Sequence, residues 1–183
     1  MYDKLKKEID QAEQEGILSF PVIQYAETQR MDYLEACVKE GLRMWPPVLG
    51  LMSKTVPPAG DTLNGFFVPG GTNIGYCAWG VHRKKEVFGS DADTYRPERW
   101  LEVTDKAKLA DMNNSFDLVF GWGKNACLGK PVAWIEMRKA IAEVVRRFDI
   151  SIVNPDHPFN SVNRNGLFVQ DSMFVRFEER VKN

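Results

Sequence analysis

The chain has 183 residues, 44% of them apolar and 27% charged, with a formal net charge of −1; this suits one soluble domain with its own core and gives no basic surplus to suggest nucleic acid or an anionic membrane as partner. No apolar run approaches the ~20 residues of a membrane span, and the opening MYDKLKKEIDQ reads as neither signal peptide nor anchor. Cys37, Cys77 and Cys127 are odd in number and scattered, which excludes a disulfide framework and suggests a reducing compartment; His82 and His157, with no CxxC or HxxxH spacing, argue against zinc.

Residues 2–15 place Leu5, Ile9 and Ala12 on one side of a charged segment, the pattern of a short amphipathic helix ending near Gly16. In 28-TQRMDYLEACVKEGLRMWPP-47, Met31, Leu34, Val38, Leu42 and Trp45 recur at steps of three and four, predicting a helix that Pro46 and Pro47 stop. Three short β-leaning segments follow, 49-LGLMSKTV-56, 62-TLNGFFV-68 and 72-TNIGYCAWG-80, and the turn 69-PGG-71 predicts a hairpin between the second and third. From about Lys84 to Asn114 the chain reads as mostly irregular, 95-YRPERW-100 included. A stretch of that length in a compact domain needs a function or specific contacts to pin it. The next helix is expected to begin at Cys127, with Leu128, Val132, Ile135, Ala140, Ile141, Val144 and Val145 periodic and Lys130, Arg138, Lys139, Glu143 and Arg146 exposed. In the tail, 148-FDISIV-153 and 172-SMFVRF-177 alternate like strands, and the NRNG ending at Gly166 reads as a turn. Helices at the flanks with small sheets between them give an α+β class and a single unit over residues 1–183.

The chemistry concentrates in 120-FGWGKNACLGKP-131. Gly121, Gly123 and Ala126 satisfy the dinucleotide pattern G-x-G-x-x-G/A, preceded by the strand-like 117-DLVF-120. That pattern alone is weak, and Asp149, at about the right distance to hold a ribose, opens a strand instead of closing one. No Gly-Lys-Ser/Thr follows, so a Walker phosphate loop fails. Alternatively Cys127 is a metal ligand: the start of a helix offers unpaired N–H groups and a positive dipole end, both of which favour thiolate. Gly121, Gly123 and Gly129 leave room for a flat macrocycle to approach the backbone, and Ala133 keeps the same helix face small. One thiolate suffices as the axial ligand of a haem. A buried cysteine acting as a small hydrophobe satisfies the same residues.

The run Phe120-x-x-Gly123-x-x-x-Cys127-x-Gly129, continuing to Ala133 and Glu136, resembles the haem-binding signature of the cytochrome P-450 monooxygenases. Upstream, Glu40-x-x-Arg43 resembles that family's E-x-x-R helix, and 97-PERW-100 resembles its P-E-R-F element. The three occur in the family's order, the resemblance covers essentially the whole chain, and the wording of the cysteine loop is most similar to microsomal members from filamentous fungi. The resemblance implies the C-terminal part of a mainly α fold: E-x-x-R helix, small sheets, meander loop, cysteine loop and following helix. It implies haem b with Cys127 as proximal thiolate and Phe120 shielding the sulfur. It also implies a scaffold in which Glu40 and Arg43 join Arg99 to lock the irregular loop. Leu51 and Met52, beside the haem edge, and Leu167 and Phe168, in the turn at Gly166, become candidate substrate contacts. Lys54 falls where the family often has an arginine on a haem propionate, and Lys124, Lys130 and Arg138 are candidates for a basic patch facing an acidic reductase.

Two departures qualify these expectations. Asn125 stands where the family usually has Arg or His for a propionate, so that anchor is weakened or moved to Lys54. The family's N-terminal half and distal helix, with its acidic residue and threonine, have no counterpart here. The expected parent is a haem-thiolate monooxygenase at the cytoplasmic face of the endoplasmic reticulum, hydroxylating an apolar substrate with O2 and with NADPH-derived electrons delivered by a reductase. The chain itself, without an anchor, is expected in the cytoplasm, as a partial domain with an association-prone haem-side surface. A non-catalytic remnant or binding module, and nucleotide binding at Gly121–Ala126, are the alternatives.

Overall fold

The computed structural model describes residues 1–164 and 166–181; Asn165, within the predicted NRNG turn, lies outside the described residues. Three N-terminal helices, α1 (Tyr2–Gln14), α2 (Tyr25–Thr28) and α3 (Asp32–Met44), pack with the long C-terminal helix α8 (Lys130–Arg147). The predicted stripe of α1 is buried as Leu5, Ile9 and Ala12, and meets Ile23, Met31, Leu34 and Val38 together with Ala142 and Val145 of α8. Each fully buried Leu or Ile there contributes about 1.5–3 kcal/mol. Helix α3 has no side-chain cap of its own. Glu8 of α1 supplies one, accepting the Tyr33 and Leu34 amides at 2.8 Å each, which satisfies two of the amides that a helix start leaves open. Its carboxyl is nonetheless raised, because burial outweighs those two hydrogen bonds.

The opposite side of α3 faces a second core. Ala36 packs there with Phe88, Ala92, Trp100, Met112 and Phe116. These come from α5 (Lys85–Phe88), α6 (Arg99–Glu102), α7 (Lys106–Asp117) and the loop between α5 and α6. The stretch expected to be irregular therefore holds a three-turn helix, α7. Asp105 caps it, accepting the Ala107 and Lys108 amides at 2.9 and 3.4 Å. Its apolar positions are sparse, Met112 and Phe116 being the buried ones, so periodicity gave little sign of it.

The sheets are four separate two-stranded ribbons. Strand β1 (Leu51–Thr55) pairs antiparallel with β4 (Asn73–Cys77), while β2 (Asp61–Leu63) and β3 (Phe66–Val68) form their own hairpin. This corrects the hairpin expected across 69-PGG-71. The tight turn is Asn64-Gly65, with φ of +51° and +83°, the conformation a two-residue hairpin loop requires. Residues 78–80, expected to extend the third strand, lie instead in the short helix α4 (Ala78–Val81). In the tail, β5 (Phe148–Ile152) pairs with β8 (Val175–Glu179), and β6 (Asn160–Arg164) with β7 (Leu167–Asp171).

Helix α8 starts three residues after Cys127 and buries only the later part of the expected stripe, Val145 fully and Ile141 and Val144 in part. Leu128, Val132 and Ile135 are 98%, 55% and 38% exposed, whereas Arg138 and Arg146 are buried. Arg146 donates to the Ser19 and Pro21 carbonyls, and Arg138 pairs with Glu35. Arg138 thus ties α8 to α3 and Arg146 ties it to the loop between α1 and α2, while Leu128, Val132 and Ile135 are left uncovered.

Candidate functional site

Glu40 and Arg43 occupy one face of α3, three residues apart, and both are fully buried. Arg43 donates Nε and Nη2 to the two Glu40 oxygens at 2.9 and 2.8 Å. The other donors come from the loop segment: the Arg96 amide, Arg99 Nε and Trp100 Nε1, each at 2.9 Å. Arg43 also donates to the carbonyls of His82, Ala92 and Thr94, and Arg99 to those of Phe88, Asp91 and Thr94. The irregular loop thus spends its carbonyls on two buried guanidinium groups, a charge-assisted arrangement about twice as strong as neutral hydrogen bonds. Burial raises the Glu40 carboxyl, but the hydrogen bonds from Arg43, the Arg96 amide and Arg99 together hold it below the usual range. His82, wholly buried beside this network, is pushed down to about 4 by its desolvation and stays neutral.

A line of aromatic rings leads from the network to the cysteine loop. Trp100, which donates to Glu40, stands edge-on to Phe116 at 5.7 Å, and Phe116 edge-on to Phe120 at 6.2 Å. The chain then turns through a 3₁₀ segment, Leu118–Phe120, and Gly121 at φ +74°. A Cβ on Gly121 would lie 2.8 Å from the Asn125 carbonyl oxygen, so only glycine fits. The Cys127 amide donates back to the Phe120 carbonyl at 2.7 Å and closes the loop. No strand occupies 117–120: Asp117 ends α7. The dinucleotide reading therefore lacks the strand–turn–helix frame its motif needs.

Cys127 presents an exposed thiol, which removes the reading of a buried small hydrophobe. A Cβ on Gly129 would lie 3.7 Å from its sulfur, and one on Gly123, at φ +62°, would meet nothing within 4 Å. The amides of Leu128 and Gly129 donate to no backbone acceptor among the described residues. Such open N–H groups at a helix start are donors left for a partner outside the backbone. Phe120, Trp122 and Cys127 line one cleft of about 370 Å³ together with Asp117 and Lys130. Ala133 is half-buried in the first turn of α8. Among the described residues no group of three or more His, Cys, Asp or Glu could hold a bare metal ion. A single thiol would suit only a metal that brings its other ligands with it, as an iron held in a macrocycle does.

Strand β1 meets this loop directly. Lys54 donates Nζ to the Trp122 carbonyl at 3.0 Å, and Tyr76 of β4 donates its hydroxyl to the Leu118 carbonyl at 2.7 Å. Leu51, Met52, Lys54, Tyr76, Trp122 and Asn125 line a second cleft, of about 260 Å³. Lys54 and Asn125, distant in sequence, thus share one wall. Leu51 is largely exposed, and Leu167 is half exposed. Phe168 instead packs between Trp45 and Trp79 at 4.7 and 5.4 Å. Of the cations expected in one patch, Lys124 is exposed and Lys130 pairs with Asp117 at 2.8 Å while its ammonium sits 5.4 Å from the Phe120 ring. Arg138 is buried against Glu35 and leaves the patch. Tyr76 and Trp45 escaped the sequence reading as site residues; the Met52–Tyr76 strand register, which no periodicity shows, brings Tyr76 to the loop.

Comparisons with known proteins agree with this geometry. A cytochrome P450 profile matches residues 1–175. Cytochrome P450 monooxygenase ABA1 of Pyricularia oryzae is 40% identical over 181 residues, 99% of this chain. Cytochrome P450 monooxygenase aba1 of Botryotinia fuckeliana is 40% identical over 98% of the chain, and cicH of Emericella nidulans 41% over 94%. The chain spans about a third of these relatives' length, 34–35%. No helix among the described residues is long and apolar enough to cross a membrane. With the profile over nearly its whole length and three fungal relatives at this identity, the chain belongs to the cytochrome P450 family, whose cofactor is haem iron.

Proposed function

We propose that the chain is the C-terminal haem-binding part of a haem-thiolate monooxygenase, with Cys127 as the proximal ligand. The observation that carries this is the exposed thiol of Cys127 at the start of α8, on a loop closed by its own amide and opened by glycines. When bound, haem supplies activation of dioxygen and insertion of one oxygen atom into an apolar organic substrate, with NADPH-derived electrons delivered by a reductase. The chain's own residues hold and orient the group. The free amides of Leu128 and Gly129 lie next to the sulfur in sequence and are the donors available to temper its charge. With the macrocycle bound, Phe120 would keep water from the sulfur, and Gly123, Gly129 and Ala133 would leave the macrocycle its space, while Gly121 makes room for the Asn125 carbonyl.

Lys54, which donates to the Trp122 carbonyl, would supply the positive charge for a haem propionate that Asn125 lacks, and Asn125 would add a neutral hydrogen bond from the same cleft. Leu51, Met52 and Leu167 offer apolar surface to a substrate. Glu40, Arg43 and Arg99 act as scaffold, touching no reacting atom. The parent protein sits at the cytoplasmic face of the endoplasmic reticulum and meets its reductase through exposed basic residues such as Lys124. The uncovered Leu128, Val132 and Ile135 support a second reading for the chain by itself, a partial domain that binds a partner without turnover.

Haem-reconstituted chain, reduced under carbon monoxide, is expected to show the red-shifted Soret band of a thiolate-ligated iron. Cys127→Ser is expected to abolish it; the same band in that variant would sink the ligand assignment.

A further inference from the structure

The cysteine loop bonds mainly to itself. Its backbone hydrogen bonds run from the Gly121 amide to the Leu118 carbonyl at 3.1 Å, from Ala126 to Gly123 at 3.0 Å and from Cys127 to Phe120 at 2.7 Å. Helix α7 runs directly into the loop and α8 leaves it. Beyond those two helices, the described residues send two side-chain hydrogen bonds to residues 118–127, and both come from the β1–β4 ribbon. Lys54 Nζ donates to the Trp122 carbonyl, and Tyr76 Oη to that of Leu118.

The strand register sets this up. Met52 stands opposite Tyr76, and Lys54 opposite Ile74. Opposed residues of an antiparallel pair share a face, as do residues two apart on one strand. Lys54 and Tyr76 therefore project from one face of the ribbon and hold opposite ends of residues 118–122. A cleft of about 400 Å³, lined by Met52, Leu63, Ile74, Leu118 and Trp122, lies between that face and the loop. Hydrogen bonds, more than packing, join the two.

The two tethers are unequal. The Lys54 bond is exposed, its ammonium is strongly hydrated, and its long stem has much rotamer freedom to lose. The Tyr76 bond, at 2.7 Å, is partly buried and made by a rigid ring. Burial raises the Tyr76 hydroxyl above its ordinary value, so it remains a donor. Its acceptor is the carbonyl on which the 3₁₀ turn Leu118–Phe120 closes, because the Gly121 amide bonds there too. A carbonyl oxygen has lone pairs for both donors. Two residues further on, the Phe120 carbonyl receives the Cys127 amide.

We propose that Tyr76 is a positioning residue for Cys127: its hydroxyl fixes the 3₁₀ turn whose last carbonyl takes the Cys127 amide, and so keeps the thiol presented to the iron. It acts through Leu118 and Phe120. The proposal rests on the haem-thiolate reading for what the thiol ligates.

The test compares Tyr76→Phe with Tyr95→Phe, which deletes an equivalent bond, from Tyr95 Oη to the Cys37 carbonyl at 2.9 Å, away from the loop. Amide exchange of the full chain is measured first, without haem. Loss of one such bond in Tyr76→Phe is expected to speed exchange of the Gly121 and Cys127 amides by about two- to tenfold, with the amides of α3 as slow as before. Tyr95→Phe is expected to leave the loop amides at their native rates. After haem reconstitution and reduction under carbon monoxide, the thiolate-type Soret band is expected to decay to a thiol-type band faster in Tyr76→Phe than in the native chain or Tyr95→Phe. Native loop exchange in Tyr76→Phe, equal acceleration in Tyr95→Phe, loss of α3 protection in Tyr76→Phe, or a native rate of band decay overturns the positioning role alone. A native chain that shows no thiolate-type band at all overturns the haem reading and this proposal with it.

Discussion

A single carboxylate governs much of the loop half of the molecule. Glu40 accepts from Arg43 through two nitrogens, from the Arg96 amide, from Arg99 and from the Trp100 indole, and no solvent reaches it. Two buried guanidinium groups depend on its one negative charge, with Asp91 at the margin giving Arg99 a further partner at 3.0 Å. Glu40→Gln removes that charge, leaves the buried Arg43 guanidinium without its carboxylate partner, and is expected to cost about 3–5 kcal/mol, measured as a lower urea midpoint. Glu40 titrates below its ordinary value in the folded chain, so it stabilises the fold above about pH 4.5 and loses that contribution as pH falls through the depressed value. The variant should therefore show a shallower loss of stability in acid than the native chain. The Glu40–Arg43 pair was legible from the spacing alone, because three steps along a helix bring side chains together. The Arg96 and Trp100 donors were not, since they depend on how a loop folds back over about 56–60 residues.

At the scale of elements, legibility followed the strength of local signals. α1 and α3 have full apolar stripes and lie where the periodicity put them. α7, with two buried residues in three turns, was hidden. In α8 the periodic residues were visible, but their partner was not: Leu128, Val132 and Ile135 look like core and face outward. The PGG turn competed with Asn64-Gly65 for the hairpin, and the pair that adopts positive φ at both positions won. The cysteine loop was the clearest local feature, and its two first glycines now separate. Gly121→Ala meets both a left-handed φ and the Asn125 carbonyl, whereas Gly123→Ala meets the φ alone. The first is expected to cost more than the ~1–2 kcal/mol of the left-handed backbone and to speed exchange of the Cys127 amide. The second is expected to cost about that backbone term only. Equal melting temperatures for the two variants would contradict this account of the loop.

Over the whole molecule, two cores share α3 and leave Leu128, Val132 and Ile135 of the cysteine loop and α8 exposed. Val132→Glu with Ile135→Glu is expected to reduce self-association in sedimentation experiments without changing the helical circular dichroism, because both side chains are exposed on α8. The way α3 is held also dictates an order of events during synthesis. When α3 leaves the ribosome, Glu40 has Arg43 as its only neighbour in the network; its remaining donors arrive with residues 96–100. The other face of α3 waits longer still, for Ala142 and Val145. Neither face is sealed by α1 and α2 alone, so these helices wait for residues 96–100 and for α8, and α8 completes the packing of the elements that precede it in this sequence.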